Sequence, residues 1–119
     1  WINQTYQRVN IFEGSAGNWK LIRSCIVGCG KNSTPTPKGV CKTTYKQTGW
    51  FQSSYQVLPV VRFYGGGYAF HSRLYYPRST TLQDPSIGYP VSHGCVRMYD
   101  EDIQWIYDNV PDGTTVVSH

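Results

Sequence analysis

Polar and apolar residues alternate along much of this chain, in short segments separated by turns. Alternation with a period of two is typical of a strand with one buried face. Six segments rich in β-branched and aromatic residues fit this pattern: 6–12, 19–27, 40–45, 55–64, 68–72 and 114–117. Pro59 lies inside the fourth segment, and because proline donates no backbone hydrogen bond it predicts an edge strand or a bulge there. The pattern therefore predicts a chain built mainly from strands.

Glycine and proline concentrate in three places between these segments. Residues 28–39 contain three glycines and two prolines, which predict an extended loop. The consecutive glycines at 65–67 predict a flexible break. Residues 74–91 contain three prolines and are expected to be a long irregular segment. Loops of that length inside a domain are usually functional or mobile.

One helix is predicted, near the end of the chain. The acidic residues 100–102 begin it, which suits the positive end of a helix dipole. The apolar residues that follow at helical spacing are Ile103, Ile106, Tyr107 and Val110. The Pro-Asp-Gly sequence at 111–113 ends the helix. Six or seven strands with one late helix predict a mainly β domain, in which sheet packs on sheet or curls toward a barrel.

Length and charge exclude several classes of protein. The 119 residues are enough for one domain, spanning 1–119, and no apolar run approaches the ~18 residues of a membrane span. The net charge is +4, and its basic residues are scattered from Arg8 to Arg97, as on a solvated, mildly basic surface. A nucleic-acid partner is unsupported because no basic stripe or nucleic-acid motif is present. A cell-wall polyanion fits the charge equally well.

The four cysteines, Cys25, Cys29, Cys41 and Cys95, are too few for a disulfide scaffold. No second Cys/His pair accompanies the first two at zinc-finger spacing, so a structural zinc site is not expected. Cys95 stands apart, close to a histidine, which suggests a separate reactive thiol. The chain opens at Trp1 with neither an initiator methionine nor a signal peptide, so we expect a domain excised from a longer protein.

The sequence Ser-His-Gly-Cys at 92–95 has the components of a thiol active site. A thiol attacks only after a base takes its proton, and the negative charge that develops on the substrate oxygen needs hydrogen-bond donors. His93 and His71 are the candidate bases, and His71 is better placed if its strand lies beside Cys95. Gly94 permits a sharp bend that would point its own N–H and that of Cys95 into an oxyanion hole. The alternative for Cys95 is a small buried hydrophobe.

The segment Ser92-His93-Gly94-Cys95-Val96-Arg97-Met98 resembles the signature of the YkuD family, the L,D-transpeptidase catalytic domain. Residues 34–39 (TPTPKG) resemble the family's TPTPxG segment, 70–72 its catalytic His-Ser step, and 104–117 its closing helix and strand. The resemblance covers essentially the whole chain in the right order. It implies a YkuD-type β-sandwich or barrel-like arrangement of mixed sheets with one C-terminal α-helix.

The resemblance implies a set of catalytic residues. Cys95 matches the nucleophile that forms the acyl-enzyme, and His71 matches the general base. The backbone carbonyl of Ser72 matches the group that orients this base. The backbone of His93, Gly94 and Cys95 matches the oxyanion-hole segment. The family needs no metal or organic cofactor, so none is expected here.

Four further residues are expected to contact the substrate: Ser92, Arg97, Tyr64 and Tyr68. Arg97 stands where family members have Asn or Arg. It either holds a substrate carboxylate in a bidentate contact or ties the structure to a nearby carbonyl. Tyr64 and Tyr68 flank the glycines at 65–67, as in a mobile lid or as ordinary strand residues.

The implied reaction is a two-step acyl transfer on peptidoglycan. The thiolate attacks the amide between residues three and four of a stem tetrapeptide, D-Ala leaves, and an amine of a neighbouring stem resolves the thioester to a 3→3 cross-link. Donor and acceptor stem peptides are the expected partners, carbapenems the expected covalent inhibitors, and the extracytoplasmic cell wall or periplasm the expected location. The alternatives are an L,D-carboxypeptidase that uses water as acceptor, and a non-catalytic wall-binding module.

Two features depart from the family pattern. The segment between His71 and Ser92 is longer than the usual family loop, which is expected to reshape the donor or acceptor pocket. The three early cysteines are also unusual. In an extracytoplasmic protein Cys41 would join Cys25 or Cys29 in a disulfide, and the alternative is three free buried thiols.

Overall fold

The computed structural model describes all 119 residues, and strands make up most of its regular structure. In chain order the elements are β1 (Ile2–Asn3), β2 (Arg8–Glu13), β3 (Lys20–Gly28), β4 (Gly39–Gln47), β5 (Trp50–Phe51), β6 (Gln56–Val57), β7 (Val60–Phe63), a 3₁₀ turn (Tyr64–Gly66), β8 (Tyr68–Ser72), β9 (Leu74–Tyr75), β10 (Leu82–Asp84), β11 (Val96–Met98), α1 (Asp100–Asn109) and β12 (Thr115–Ser118).

Eight of the strands close into a barrel in the order β1-β12-β4-β7-β8-β11-β3-β2. The β1–β12 and β8–β11 pairs are parallel, and the other six pairs are antiparallel. A closed barrel pairs every strand on both sides and so leaves no open sheet edge. The predicted mainly β fold, with barrel-like mixed sheets and one late helix, is confirmed.

The main core fills the barrel with the side chains that alternate toward its interior. Its buried strand residues include Val27, Val61, Phe63, Phe70, Val96 and Met98. Helix α1 adds Ile103 and Ile106 to the same cluster. No helix is long and apolar enough to cross a membrane.

A second sheet, in the order β10-β9-β6-β5, covers the outer face of β7 and β8. Val57 of this sheet packs with Val60 of β7 and Ala69 of β8 in a second, smaller core. Cys95 packs against that smaller core. The candidate nucleophile therefore lies outside the barrel, where its outer face meets the small sheet.

Three segments differ from the sequence prediction. The prediction of a single strand over 55–64 is wrong. Leu58 and Pro59 separate two strands, β6 and β7, which belong to different sheets. Pro59 has no N–H with which to continue a ladder. The irregular segment predicted over 74–91 contains β9 and β10, which pair with each other, and Val96–Met98 forms β11, a strand not predicted.

Candidate active site

The parallel pairing of β8 and β11 brings the two main candidate residues to one face. Arg97 lies opposite His71 in this pair, so Cys95, two residues earlier, is level with Ala69. Side chains two apart on a strand point the same way. His71, Ala69, Cys95 and Arg97 therefore share the outer face of the barrel, under the small sheet. A parallel pair needs a long crossover connection, and the long segment after His71 provides it.

His71 is buried and held in one orientation by its neighbour. Its side chain is 5% exposed, and Nδ1 lies 2.6 Å from the backbone oxygen of Ser72. A carbonyl oxygen only accepts, so Nδ1 carries the proton and Nε2 keeps a lone pair that can take one. Burial lowers the pKa of His71 to about 4, opposed by the Ser72 carbonyl and reinforced by the positive charges of Arg97 and Arg62. The imidazole is therefore neutral at pH 7, as a general base must be.

Ser72 is fully buried and fixes the end of β8. Its Oγ accepts a hydrogen bond from the N–H of Leu58 at 3.0 Å and donates one to the carbonyl of Arg73 at 2.8 Å. Both bonds hold the backbone around the Ser72 carbonyl, and the carbonyl in turn orients the imidazole of His71. The predicted contact between this carbonyl and His71 is present in the structure.

Cys95 lies half-buried beside Ala69, with a thiol that burial keeps protonated. Desolvation raises the pKa of Cys95 above its ordinary value. The backbone amide of Ala69 and the positive charge of Arg62 act in the opposite direction. The thiol and His71 are thus a neutral pair at rest, and the thiolate forms by proton transfer rather than in advance.

Arg62 is a member of the site that the sequence analysis does not single out. It lies opposite Ala69 in the β7–β8 pair and so shares the outer face with His71 and Cys95. Its guanidinium donates from Nε to Gln47 Oε1 at 2.8 Å and lies 5.3 Å from the ring centre of Trp50. The signal available in the sequence was a charged residue between two apolar ones, Val61 and Phe63, within a predicted strand.

The loop that carries Cys95 is held from inside by Ser92. The Ser92 hydroxyl accepts from the N–H of Gly94 at 3.1 Å and donates to the carbonyl of Cys95. Ser92 is 5% exposed, so its hydroxyl orders the loop rather than making the predicted substrate contact. The Gly94 and Cys95 N–H groups were predicted to form an oxyanion hole together. In the structure the Gly94 N–H already donates to Ser92 Oγ. The N–H groups of His93 and Cys95 make no hydrogen bond within the protein.

Gly94 cannot be replaced by a larger residue at this position. Its φ is +122°, and a Cβ there would lie 2.6 Å from a ring carbon of Tyr68. The Tyr68 ring therefore packs directly on the loop that holds Cys95. Tyr64 lies against Tyr68 edge to face, at 6.2 Å between ring centres, and its hydroxyl donates to the carbonyl of Lys38 at 2.9 Å. The two rings form one wall beside the loop.

The TPTP segment binds the same loop from its other side. Thr34 Oγ1 donates to the carbonyl of Ser92 at 3.0 Å, and Thr36 Oγ1 donates to the carbonyl of Gly94 at 2.7 Å. From the sequence, this segment is recognisable only by its resemblance to the family segment, which implies no role for it. Two threonines two residues apart, each followed by a proline, were the signal that could have suggested these contacts.

Arg97 makes a tie within the protein. It is 4% exposed, and its Nη1 lies 3.3 Å from the carbonyl oxygen of Ser86 and 3.1 Å from Oδ2 of Asp84. Of the two predicted alternatives, this geometry corresponds to the structural contact with a nearby carbonyl. The Asp84 carboxylate is a second partner of the same guanidinium. The arginine joins β11 to the end of β10 and the residues after it.

All four cysteines are free thiols in the structure, so the disulfide expected between Cys41 and Cys25 or Cys29 is not formed. Cys25 and Cys29 lie in the main core, and burial raises their pKa values to about 11 and about 12. Cys41 is half-buried, and its pKa is raised by burial as well. No three His, Cys, Asp or Glu side chains are grouped to hold a metal ion.

A cavity of about 870 Å³ lies apart from these groups. It is formed by β6, β9, α1 and the turn after β9, and its lining includes Gln56, Tyr75, Asp100 and Tyr107. Cys95, His71 and His93 do not line it. The candidate active site is therefore the outer face of the barrel beside the 92–95 loop, where His71 and Cys95 lie.

The chain matches one protein family along nearly its whole length. The model of the YkuD family, the L,D-transpeptidase catalytic domain, matches residues 1–117. YciB of Bacillus subtilis (strain 168), whose name assigns it to the L,D-transpeptidases, is 30% identical over 98% of this chain and 62% of its own length.

Solved structures agree in fold. A fused Zn-dependent amidase/peptidase/peptidoglycan-binding domain-containing protein from Clostridium acetobutylicum ATCC 824 is 30% identical, with a TM-score of 0.78 over 97% of this chain and 48% of that one. L,D-transpeptidase 3 of Mycobacterium tuberculosis, solved with a faropenem-derived adduct, is 26% identical, with a TM-score of 0.64 over 81% of this chain and 44% of that one. The chain spans less than two thirds of the length of each of these relatives.

Proposed function

Because the chain belongs to the YkuD family of L,D-transpeptidase catalytic domains, we propose that it is a cysteine acyltransferase that acts on peptidoglycan stem peptides. The observation that carries this proposal is the neutral, oriented imidazole of His71 on the same outer face as Cys95. In the first step, Nε2 of His71 takes the thiol proton as the sulfur attacks the carbonyl carbon between residues three and four of a stem tetrapeptide. The negative charge moves to the carbonyl oxygen.

The N–H groups of His93 and Cys95 stabilise that oxyanion, since neither is used by the protein itself. The intermediate collapses when the C–N bond breaks and the leaving D-Ala nitrogen takes the proton from His71. The product is a thioester between Cys95 and residue three of the donor. The Ser72 carbonyl stabilises the imidazolium that forms between these transfers.

The second step repeats the same proton path with a new nucleophile. An amine of a neighbouring stem attacks the thioester carbon while His71 takes its proton, and the C–S bond breaks to restore the Cys95 thiol. The result is a 3→3 cross-link. If water attacks instead, the same residues give L,D-carboxypeptidase activity. The site is bordered by Tyr64, Tyr68 and Arg97. We propose that the Tyr68 ring forms one wall of the substrate groove.

The proposal includes the setting of the reaction. The substrate lies outside the cytoplasm, so the domain works at the cell wall or in the periplasm as the catalytic unit of a longer protein. β-Lactams of the carbapenem and penem classes acylate Cys95 by the same attack on a strained amide. The faropenem-derived adduct of the related M. tuberculosis enzyme supports this part of the proposal.

The test is incubation of the domain with a disaccharide-tetrapeptide, followed by mass spectrometry. A dimer that has lost one D-Ala indicates transpeptidation, and loss of D-Ala without dimer indicates carboxypeptidation. Cys95→Ala should abolish both products. Cys41→Ser, which removes another partly exposed thiol, is the matched control and should retain them. A wild-type domain that binds the substrate but forms neither product would favour the wall-binding alternative, and turnover by Cys95→Ala would overturn the nucleophile assignment.

A further inference from the structure

Thr36 is a buried hydroxyl that the proposed mechanism does not use. Its side chain is 1% exposed, and both hydrogen-bonding capacities of Oγ1 are occupied. Oγ1 accepts from the N–H of Gly30 at 3.0 Å and donates to the carbonyl of Gly94 at 2.7 Å. The Thr36 carbonyl accepts from Gln4 Nε2 at 3.0 Å, so the residue itself is anchored. Through these three hydrogen bonds the buried Thr36 connects Gly30, Gly94 and Gln4.

The bond to Gly94 controls the direction of a catalytic group. Gly94 and Cys95 share one peptide unit, and in a planar trans peptide the C=O and N–H point in opposite directions. Fixing the Gly94 carbonyl on Thr36 therefore fixes the Cys95 N–H on the opposite side, away from the buried hydroxyl. That N–H has no acceptor within the protein.

Gly94 makes such a tether necessary. Glycine has little steric restriction of φ and ψ, so the peptide unit after it can rotate more easily than any other. The approach is also close, since a Cβ on Gly30 would lie 2.9 Å from the Gly94 Cα. Ser92 holds the Gly94 N–H on one side of this glycine, and Thr36 holds its carbonyl on the other.

We propose that Thr36 is a positioning residue of the active site, whose hydroxyl aims the Cys95 N–H at the substrate oxyanion. The inference rests on the proposed function, because it assigns a further residue to the same acyl transfer. Removal of one oxyanion-hole donor commonly lowers kcat about 10²- to 10³-fold. A misaimed donor is expected to lose part of this, about 10- to 100-fold.

The experiment compares two reactions of the same thiol in four proteins. p-Nitrophenyl acetate acylates Cys95 through an oxyanion and requires no stem-peptide recognition. Iodoacetamide alkylates Cys95 by displacement at a saturated carbon and forms no oxyanion. Both rates are measured against a Cys95→Ala blank, in wild type, Thr36→Val, Thr36→Ser and Thr43→Val. Thr43 is the matched control, because it too is buried and its hydroxyl makes two hydrogen bonds, but these hold Pro111 and Thr114.

Thr36→Val should lower acylation about 10- to 100-fold and leave alkylation within about twofold of wild type, whereas Thr36→Ser should restore most of the acylation rate. Thr43→Val should leave the ratio of the acylation rate to the alkylation rate as it is in wild type. Equal losses in both reactions would show a merely structural role and overturn the proposal. If Thr36→Val does not fold, Thr36→Ala provides the same comparison with less crowding.

The result also separates this inference from the proposed function. If wild type reacts with p-nitrophenyl acetate in a Thr36-dependent way but does not turn over tetrapeptide, the positioning role stands and the substrate assignment fails. If wild-type Cys95 is not acylated above the blank, the oxyanion site is absent and the role of Thr36 is overturned.

Discussion

The reactivity of Cys95 is decided by the groups that surround it on the outer face of the barrel. Burial raises the pKa of its thiol and lowers that of His71, so both start neutral at pH 7. Both residues and the Ser72 carbonyl could be predicted from the sequence, and it is the pattern of neighbouring charges that could not. The sequence alone does not identify Arg62, whose charge acts on Cys95 only because β7 and β11 lie on either side of β8.

We therefore expect the rate of Cys95 alkylation by iodoacetamide to rise with pH. The reactive species is the thiolate, and a raised pKa means that its fraction grows about tenfold per pH unit through neutrality. Arg62 lowers this pKa, so Arg62→Gln should move the profile to higher pH, and Arg62→Lys should restore it in part. The rates are followed by mass spectrometry of the Cys95 peptide.

The control for this measurement is Arg8→Gln, which removes an exposed arginine from β2 and should leave the profile unchanged. A rate that already levels off below pH 7 would contradict the neutral resting pair and indicate a preformed thiolate.

At the scale of elements, Arg97 adds a side-chain contact to the connection between β8 and β11, whose strands β9 and β10 also pair within the small sheet. Arg97 of β11 contacts the Ser86 carbonyl and the Asp84 carboxylate, and so holds β10 and the following turn against the barrel. Hydrophobic alternation predicted the long barrel strands because their burial pattern is local. It could not predict β9, β10 or β11, since strands of two or three residues exist only through their pairing partners.

Arg97→Gln should loosen this connection. Loss of a hydrogen-bonded charge is worth about 1.5–3 kcal/mol, which corresponds to roughly ten- to a hundredfold faster hydrogen exchange in a locally opening segment. The increase should be confined to residues 82–91 and should spare α1, as measured by hydrogen–deuterium exchange with mass spectrometry. Unchanged exchange together with a raised KM for the donor would instead show that Arg97 binds a substrate carboxylate.

At the scale of the whole molecule, the barrel carries its proposed active site on an outer face that a second sheet covers. The small core of Val57, Val60 and Ala69 seals this face and desolvates His71. Burial of His71 therefore favours its uncharged form in the folded protein, whereas an unfolded chain can protonate the imidazole freely. This burial makes global stability depend on pH.

We expect the free energy of unfolding to fall as the pH drops from about 6.5 to 4. The pKa of His71 is about 4 in the folded protein against about 6.5 in an unfolded chain, so in this window the unfolded state binds more protons and is favoured. The full difference corresponds to about 3 kcal/mol. Urea unfolding of wild type at pH 7.5, 6 and 4.5 measures it.

His71→Gln should flatten this dependence, because the variant has no imidazole to protonate on unfolding. His93→Gln, which replaces an exposed histidine, should keep the wild-type slope. Hydrogen bonds from Ser86 lower the pKa of Asp84. The stability that this carboxylate contributes is therefore lost at more acidic pH, below this window. Equal slopes in wild type and His71→Gln would show that His71 is not the group responsible.

The sequence by itself determined the mainly β character, the late helix and the candidate catalytic residues, because strand alternation, helix boundaries and the Ser-His-Gly-Cys segment are local properties. Only the tertiary structure decided that His71 and Cys95 share an outer face of the barrel. The same is true of the hydrogen bond from the Gly94 N–H to Ser92, and of the contact between Arg97 and the connection from β8 to β11. Thr36 and Gly94 are 58 residues apart, yet they share a hydrogen bond. Such a contact depends on how the barrel closes, and burial, which sets the pKa values, is likewise a property of the packed molecule and not of its segments.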